Sequence, residues 1–280
     1  MGILDSVNSS QTPSGVRAVI AGVEKVGKTT FAVSAPRAIL VPLEMGYSGV
    51  SVMKTPMLEK YSDVIVLLDE IIRSCAASTF AYRSVVFDSA TALERLIHQQ
   101  VLQTDPTYAA GNKKAMTMES ALGGYGKAYQ YANELMDIFL KRCDILAQYY
   151  QINIVLTCHV FAAEVVDPTV GKYDSWDLLL HSPKNQKTYG KREMVTQWAD
   201  IVGFLHEPMF IVKDGDMNKG VTANKGRVMA VQRTPAYVAG NRFRMYADIP
   251  IPAPAPKQHG WNHLAQAIYT ACGVDVFNRD

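Results

Sequence analysis

The nine residues Gly22-Val23-Glu24-Lys25-Val26-Gly27-Lys28-Thr29-Thr30 constrain this chain more than any other stretch. They follow the spacing G-x-x-x-x-G-K-[ST]. Gly22 and Gly27 let the backbone curl so that successive N–H groups point inward at phosphate oxygens. Lys28 adds a point charge for the β and γ phosphates, and Thr29 offers a hydroxyl to Mg2+. Such a loop must hang between a strand and a helix. Val16, Ala18, Val19, Ile20 and Ala21, interrupted only by Arg17, predict the strand. The residues from Thr30 to Ser34, stopped by Pro36, predict the helix. The implied ligands are a nucleoside triphosphate, with Thr30 closing the binding stretch, and Mg2+.

Downstream, apolar strand candidates alternate with helical stretches, the pattern of a doubly wound, mainly parallel α/β sheet. Strands are expected at 38–43, ending in Glu44, and at 84–88, ending in the carboxylate of Asp88. Others are expected at 152–158, ending at His159, and at 199–205. Residues 64–66 read as a short edge strand feeding a helix through Ile71, Ile72 and Cys75. A long helix is expected over about 125–150, whereas 103–124 and 160–195 read as irregular. A hairpin follows, with strands near 210–213 and 227–232 around an Asp-Gly-rich connection. The run Ile249-Pro250-Ile251-Pro252-Ala253-Pro254-Ala255-Pro256 reads as a polyproline-type spacer. Trp261, Leu264, Ile268 and Ala271 then recur at the spacing of a short amphipathic helix. The expected organisation is an N-terminal arm over 1–15, an ATPase core over 16–248, a Pro-rich linker over 249–259 and a C-terminal helix over 260–280.

With 280 residues, 48% of them hydrophobic, the chain can bury a full core. A net charge of +2 is too mild to announce nucleic acid, so that reading has to rest on where basic residues cluster. Cys75, Cys143, Cys158 and Cys272 show no paired spacing, which fits reduced thiols and argues against zinc. No apolar run reaches membrane-spanning length and no signal peptide precedes the first strand, so a soluble, cytoplasmic protein is expected. The first six residues, Met1-Gly2-Ile3-Leu4-Asp5-Ser6, formally match the N-myristoylation pattern, a short pattern that often arises by accident.

A strand-end aspartate should complete the Mg2+ shell beside Thr29. Asp69-Glu70 and Asp88 compete for that role. Asp69 and Glu70 run into Ile71, Ile72 and Cys75 without a turn, as the first turn of a helix would, so Asp88 is preferred. Asp88 could also cap the helix that follows it.

The loop GVEKVGKTT, the junction VVFDSATAL and the placement of Glu44 together resemble the RecA-type P-loop ATPase core. By that resemblance, Glu44 is the general base that polarises the attacking water, and His159, at the end of NIVLTCH, senses the γ-phosphate. More narrowly, DSATALERL, the G-Y-G-K before the long helix, and WADIVGFL followed by a hairpin resemble phage-encoded ATPases of the single-strand annealing and recombination class. The likeness covers about residues 16–246. It implies a homo-oligomer, ring or filament, with ATP at the subunit interfaces, and a single-strand-binding protein as a further partner. Relatives of this type carry Lys-Asn-Arg after the hairpin, reaching the neighbour's γ-phosphate. Here the run is Gly240-Asn241-Arg242, so Arg242 would act without the lysine. Residues 3–7 and the helix after Pro256 are the expected links between subunits.

The same resemblance places DNA contacts in 103–127 and 160–195. The first segment holds Tyr108, Lys113, Lys114, Tyr125 and Lys127; the second holds Phe161, Tyr173 and Trp176, and then Lys184, Lys187, Tyr189, Lys191 and Arg192. Cations for phosphates interleaved with rings for bases are what a single strand requires. Asn224-Lys225-Gly226-Arg227 lacks the aspartate of a GTPase base-reading motif, and no Arg-rich lid suggests a small-molecule kinase. A helicase or helicase loader, or a DNA-binding module with little ATPase, uses the same features and stays open.

Overall fold

In a computed structural model, residues 14–111, 117–183, 189–214, 217–222, 226–252 and 260–276 are described. The chain runs β1 (Arg17–Ala21), α1 (Lys28–Ala32), β2 (Ala38–Pro42), β3 (Met53–Lys54), α2 (Tyr61–Ala76), β4 (Ser84–Asp88), α3 (Ala90–Thr104), α4 (Pro106–Ala109) and α5 (Lys127–Tyr150). It continues through β5 (Asn153–Cys158), β6 (Val160–Asp167), β7 (Gly171–Leu178), α6 (Lys191–Trp198), β8 (Ile201–His206), β9 (Met209–Asp214) and β10 (Met217–Thr222). The last elements are β11 (Arg227–Ala230), β12 (Gly240–Asn241), β13 (Ile249–Ile251) and α7 (Gly260–Cys272).

The main sheet has the order β13-β11-β8-β1-β5-β4-β2-β3, with β12 pairing β8 off this path. From β8 to β3 every pairing is parallel, so these strands end at one carboxyl edge. The sheet is covered on both faces, and side chains alternate between two cores as strand geometry requires. On β1, Val19 and Ala21 join the core under α2, α3, α5 and α6. Ala18 and Ile20 face the core under α1 and α7. This is the expected doubly wound α/β architecture.

Helix α4 and the first half of α6 fall in stretches expected to be irregular, and five further details differ from the sequence reading. Residues 64–66 belong to α2, because Val64, Leu68 and Ile71 bury one stripe at helical spacing. Residues 160–178 form the antiparallel pair β6–β7, with Glu164 opposite Asp174. The ladder stands apart from the main sheet, and its residues are mostly exposed or half-buried, so no apolar face announced it. The hairpin partner of β9 is β10, whereas β11 lies antiparallel to β8 in the main sheet. The start of the Pro-rich run is the edge strand β13, where Pro250 needs no ladder donor. Finally, α7 packs against its own chain: Trp261 is fully buried, its ring centroid 6.4 Å from that of Phe31, and its backbone N–H donates to Ser34 Oγ at 2.9 Å. That apolar face is not available to link subunits. Residues 3–7, the other expected link, lie outside the described residues.

Burial of this magnitude makes Trp261 a stability anchor. Trp261→Ala should cost about 3–5 kcal/mol in urea unfolding, whereas Trp261→Phe, which keeps most of the ring volume, should cost less than half as much.

Candidate nucleotide site

The carboxyl edge collects Gly22 after β1, Glu44 just beyond β2, Asp88 ending β4 and His159 after β5. Gly22 and Gly27 shape the loop. A Cβ on Gly22 would stand 2.5 Å from the Leu205 carbonyl oxygen, and Gly27 adopts φ 95°, open to glycine. Lys28 is buried, and its Nζ donates to the carbonyls of Gly22 at 2.9 Å and Val23 at 2.8 Å. Burial pushes its pKa down, against the pull of Asp88 and Glu44. The ammonium thus occupies the mouth of its own loop.

Thr29 Oγ1 donates to Asp88 Oδ2 at 2.7 Å, and Thr157 Oγ1 donates to Asp88 Oδ1. Asp69, the rival aspartate, sits on α2 and takes a 2.7 Å hydrogen bond from Arg142 Nε, away from the loop. The cap of α3 is Ser89, whose Oγ accepts from the N–H of Ala92 at 3.2 Å, so Asp88 is released from capping. A hydroxyl and a carboxylate oxygen side by side are hard donors suited to Mg2+, which takes one or two protein ligands and completes its shell with phosphate and water. Among the described residues no group of three His, Cys, Asp or Glu forms an all-protein cage.

Glu44 is held by three donors. Its Oε1 accepts from Ser89 Oγ at 2.6 Å and meets His159 Nε2 at 2.8 Å, and its Oε2 accepts from Arg95 Nη2 at 2.6 Å. Burial alone would raise its pKa, but His159, Ser89 and Arg95 together bring it down to about 2. A carboxylate offers about four lone-pair directions. Three are taken here, and the remaining one, on Oε2, is left to a further donor. Ser89, Arg95 and Thr157 were not singled out from sequence. Ser89 and Arg95 lie inside DSATALER, but their roles depend on β2 ending beside β4.

The expected DNA contacts divide. Lys113, Lys114, Lys184 and Lys187 lie outside the described residues. Lys127 is exposed at the start of α5, two residues after Tyr125, which is 98% exposed; Tyr189, 64% exposed, is tied to the same helix by Asn133 Nδ2, which donates to its carbonyl at 2.9 Å. Trp176, 38% exposed, stands on β7 and lines a cavity of about 470 Å³ together with Val23 and Lys25 of the loop, Phe204 of β8 and Tyr237. Arg192 is committed to Asp177 at 2.7 Å and Glu193 at 3.1 Å. Lys191 requires a correction: it is 0% exposed, its Nζ lies 3.4 Å from Glu94 Oε1 and 5.8 Å from the Tyr129 ring centroid. It is a core cation that anchors the start of α6 to α3, and it presents nothing to a nucleic-acid phosphate. Arg242 lies at the opposite, amino edge of the sheet, where Asn241 pairs with Ile201. Its guanidinium donates to Asp200 at 3.1 Å and to the Gln197 carbonyl. Within one chain it does not meet the loop.

Compared with models of known families, residues 14–243 match an AAA domain. No curated protein matches the chain.

Two outcomes follow from these geometries. Because the Glu44 pKa falls from 4.5 to about 2 on folding, its ionised form stabilises the fold above pH about 4.5, and this is lost as pH falls toward about 2. The stability gap between the parent and Glu44→Gln, from urea unfolding, should therefore be constant at neutral pH and close across that window. Lys191→Met leaves Glu94 buried without its cation and should cost about 3–5 kcal/mol. The double variant with Glu94→Gln should recover most of it, since the amide oxygen still accepts the 2.8 Å bond from the His181 N–H.

Proposed function

Because the chain belongs to the AAA domain family of nucleotide-binding, ATPase-type P-loop domains, we propose that it hydrolyses ATP with Mg2+ and acts on single-stranded DNA in recombination or strand annealing. The observation that carries the ATPase reading is the 2.7 Å hydrogen bond from Thr29 to Asp88, which ties the phosphate loop to a strand-end carboxylate with Glu44 ionised beside it. When bound, Mg2+ would neutralise charge on the β and γ phosphates. Lys28 exchanges the carbonyls of Gly22 and Val23 for phosphate oxygens, trading neutral acceptors for charged ones. Glu44 orients the attacking water through the open direction on Oε2 and takes its proton as the water attacks. Its low pKa makes it a weak base, so positioning is the larger part of its contribution. His159 ties Glu44 to the end of β5, where a change at the γ-phosphate reaches β6.

The DNA reading rests on exposed rings and cations that flank this edge: Lys127, Trp176 and Tyr189, with Lys113, Lys114, Lys184 and Lys187 of the adjoining sequence. Recombination or annealing comes from the likeness to the phage ATPases, which also suggests an oligomer in which Arg242 leaves Asp200 for a neighbour's nucleotide.

Lys28→Ala should abolish ATP binding in calorimetry. Glu44→Gln should keep binding and lose hydrolysis at least a hundredfold, in the range of general-base removal, roughly 10²–10⁴; parent-level turnover would remove Glu44 from that role. Binding of a labelled single strand should weaken with salt, with a slope of about −0.7 for each phosphate contact, and Trp176→Ala should lower affinity by about 1–3 kcal/mol without changing the slope. Absence of single-strand binding at low salt would end the recombination reading, and directional ATP-driven unwinding would replace it with a helicase.

A further inference from the structure

On the face of the sheet covered by α1 and α7, a cavity of about 520 Å³ opens between β11, β13 and α7. Its walls include Arg227, Asp248, Pro250, Pro252, His263 and Gln266. The size falls within the range of small-molecule sites, about 300–1,000 Å³. What distinguishes this cavity is Arg227. From β11 its Nη1 donates to the Val26 carbonyl of the phosphate loop at 2.9 Å. A Cβ on Gly27 would lie only 1.8 Å from the same nitrogen, so the guanidinium rests against the glycine that precedes Lys28. The same side chain lines the cavity, so one residue touches both the loop and the hollow. Among the described residues Arg227 forms no ion pair within 4 Å; Glu207 attracts it at longer range.

We propose that this cavity receives the base and ribose of the nucleotide whose phosphates the loop holds, with Arg227 at the junction between the two parts of the site. The inference rests on the reading of residues 22–30 as a phosphate loop, and adds the base site and its residues to it. The chemistry fits a nucleoside. Pro250 and Pro252 offer flat apolar faces for a ring. Asp248, His263 and Gln266 put donors and acceptors at the rim, where a base edge carries its own. Arg227 brings its guanidinium to the point where hydroxyl and phosphate oxygens would pass from the loop to the cavity. The C-terminal helix then has a part in the site: α7 supplies a wall of the cavity as well as the Trp261 anchor.

The test separates base from phosphate. Binding of ATP and of inorganic tripolyphosphate, each with Mg2+, is measured by calorimetry on the full chain and on Gln266→Trp, an exposed change that fills the cavity; Ala267→Phe, on the same wall, serves as the second filling variant. The parent should bind ATP at least tenfold more tightly than tripolyphosphate. Each filling variant should lose at least tenfold in ATP affinity and keep its affinity for tripolyphosphate. If tripolyphosphate binds and ATP affinity is unchanged in both variants, the base lies elsewhere: the proposal fails while the phosphate-loop reading stands. An equal loss for both ligands would show that the variants act through the loop, which also overturns it. If the parent binds neither ligand, the phosphate-loop reading itself falls, and the base site with it.

Discussion

A hydroxyl on α1 and a carboxylate at the end of β4 meet across β5, and the site depends on that contact. Thr29 and Asp88 belong to elements that are not neighbours in the sheet, since β5 lies between β1 and β4. They can meet because every strand from β8 to β3 is parallel, so all end at one edge. The intervening strand is not passive. Thr157 on β5 donates to the other oxygen of Asp88, and His159, just past its end, reaches Glu44. One edge therefore holds a cation over a loop, a hydroxyl–carboxylate pair and an ionised glutamate, in an order fixed by strand topology.

The electrostatics of this edge explain why its charges tolerate burial. A buried lysine or carboxylate is costly unless paired and hydrogen-bonded. Lys28 meets the condition with two carbonyls, and Glu44 with three donors. Behind it, buried Lys191 and Glu94 are paired at 3.4 Å, next to Arg95 in sequence, and Glu94 also accepts from the His181 N–H. Adjacent residues of one helix thus face different tasks: Glu94 fixes the start of α6 and the His181 backbone, and Arg95 fixes Glu44. The segment 181–192 is pinned at both ends to the helix that steadies the glutamate.

Much of this was legible in the amino-acid sequence, for physical reasons that differ by element. The loop was legible because phosphate geometry permits few residue patterns, and β1, β4 and β5 because strands buried on both faces read as short apolar runs, with only Arg17 intruding in β1. Asp88 was separable from Asp69 because a helix interior carries no turn after its carboxylates. The β6–β7 ladder was not legible, because its positions alternate between half-buried and exposed but residue polarity does not follow: Val166 and Trp176 are exposed and Asp177 is half-buried. Lys191 misled because its partner, Glu94, is distant in sequence and a basic run ordinarily faces water. Ser89, Arg95 and Thr157 are ordinary polar residues whose meaning arises only when strand ends converge. Arg227 and the walls beside α7 were hidden for the same reason: nothing local in a Pro-rich run says that it closes against a helix.

The central claim is that Thr29 and Asp88 together form the metal-binding half of a nucleotide site. The most direct measurement is the affinity for ATP with and without Mg2+, by calorimetry, in the parent and in Asp88→Asn. The parent should bind ATP more tightly with Mg2+ than without it. Asp88→Asn, which keeps the shape of the side chain and removes its charge, should lose most of that gain while metal-free affinity is retained. A parent indifferent to Mg2+, or an Asp88→Asn variant that keeps the full gain, would contradict the account.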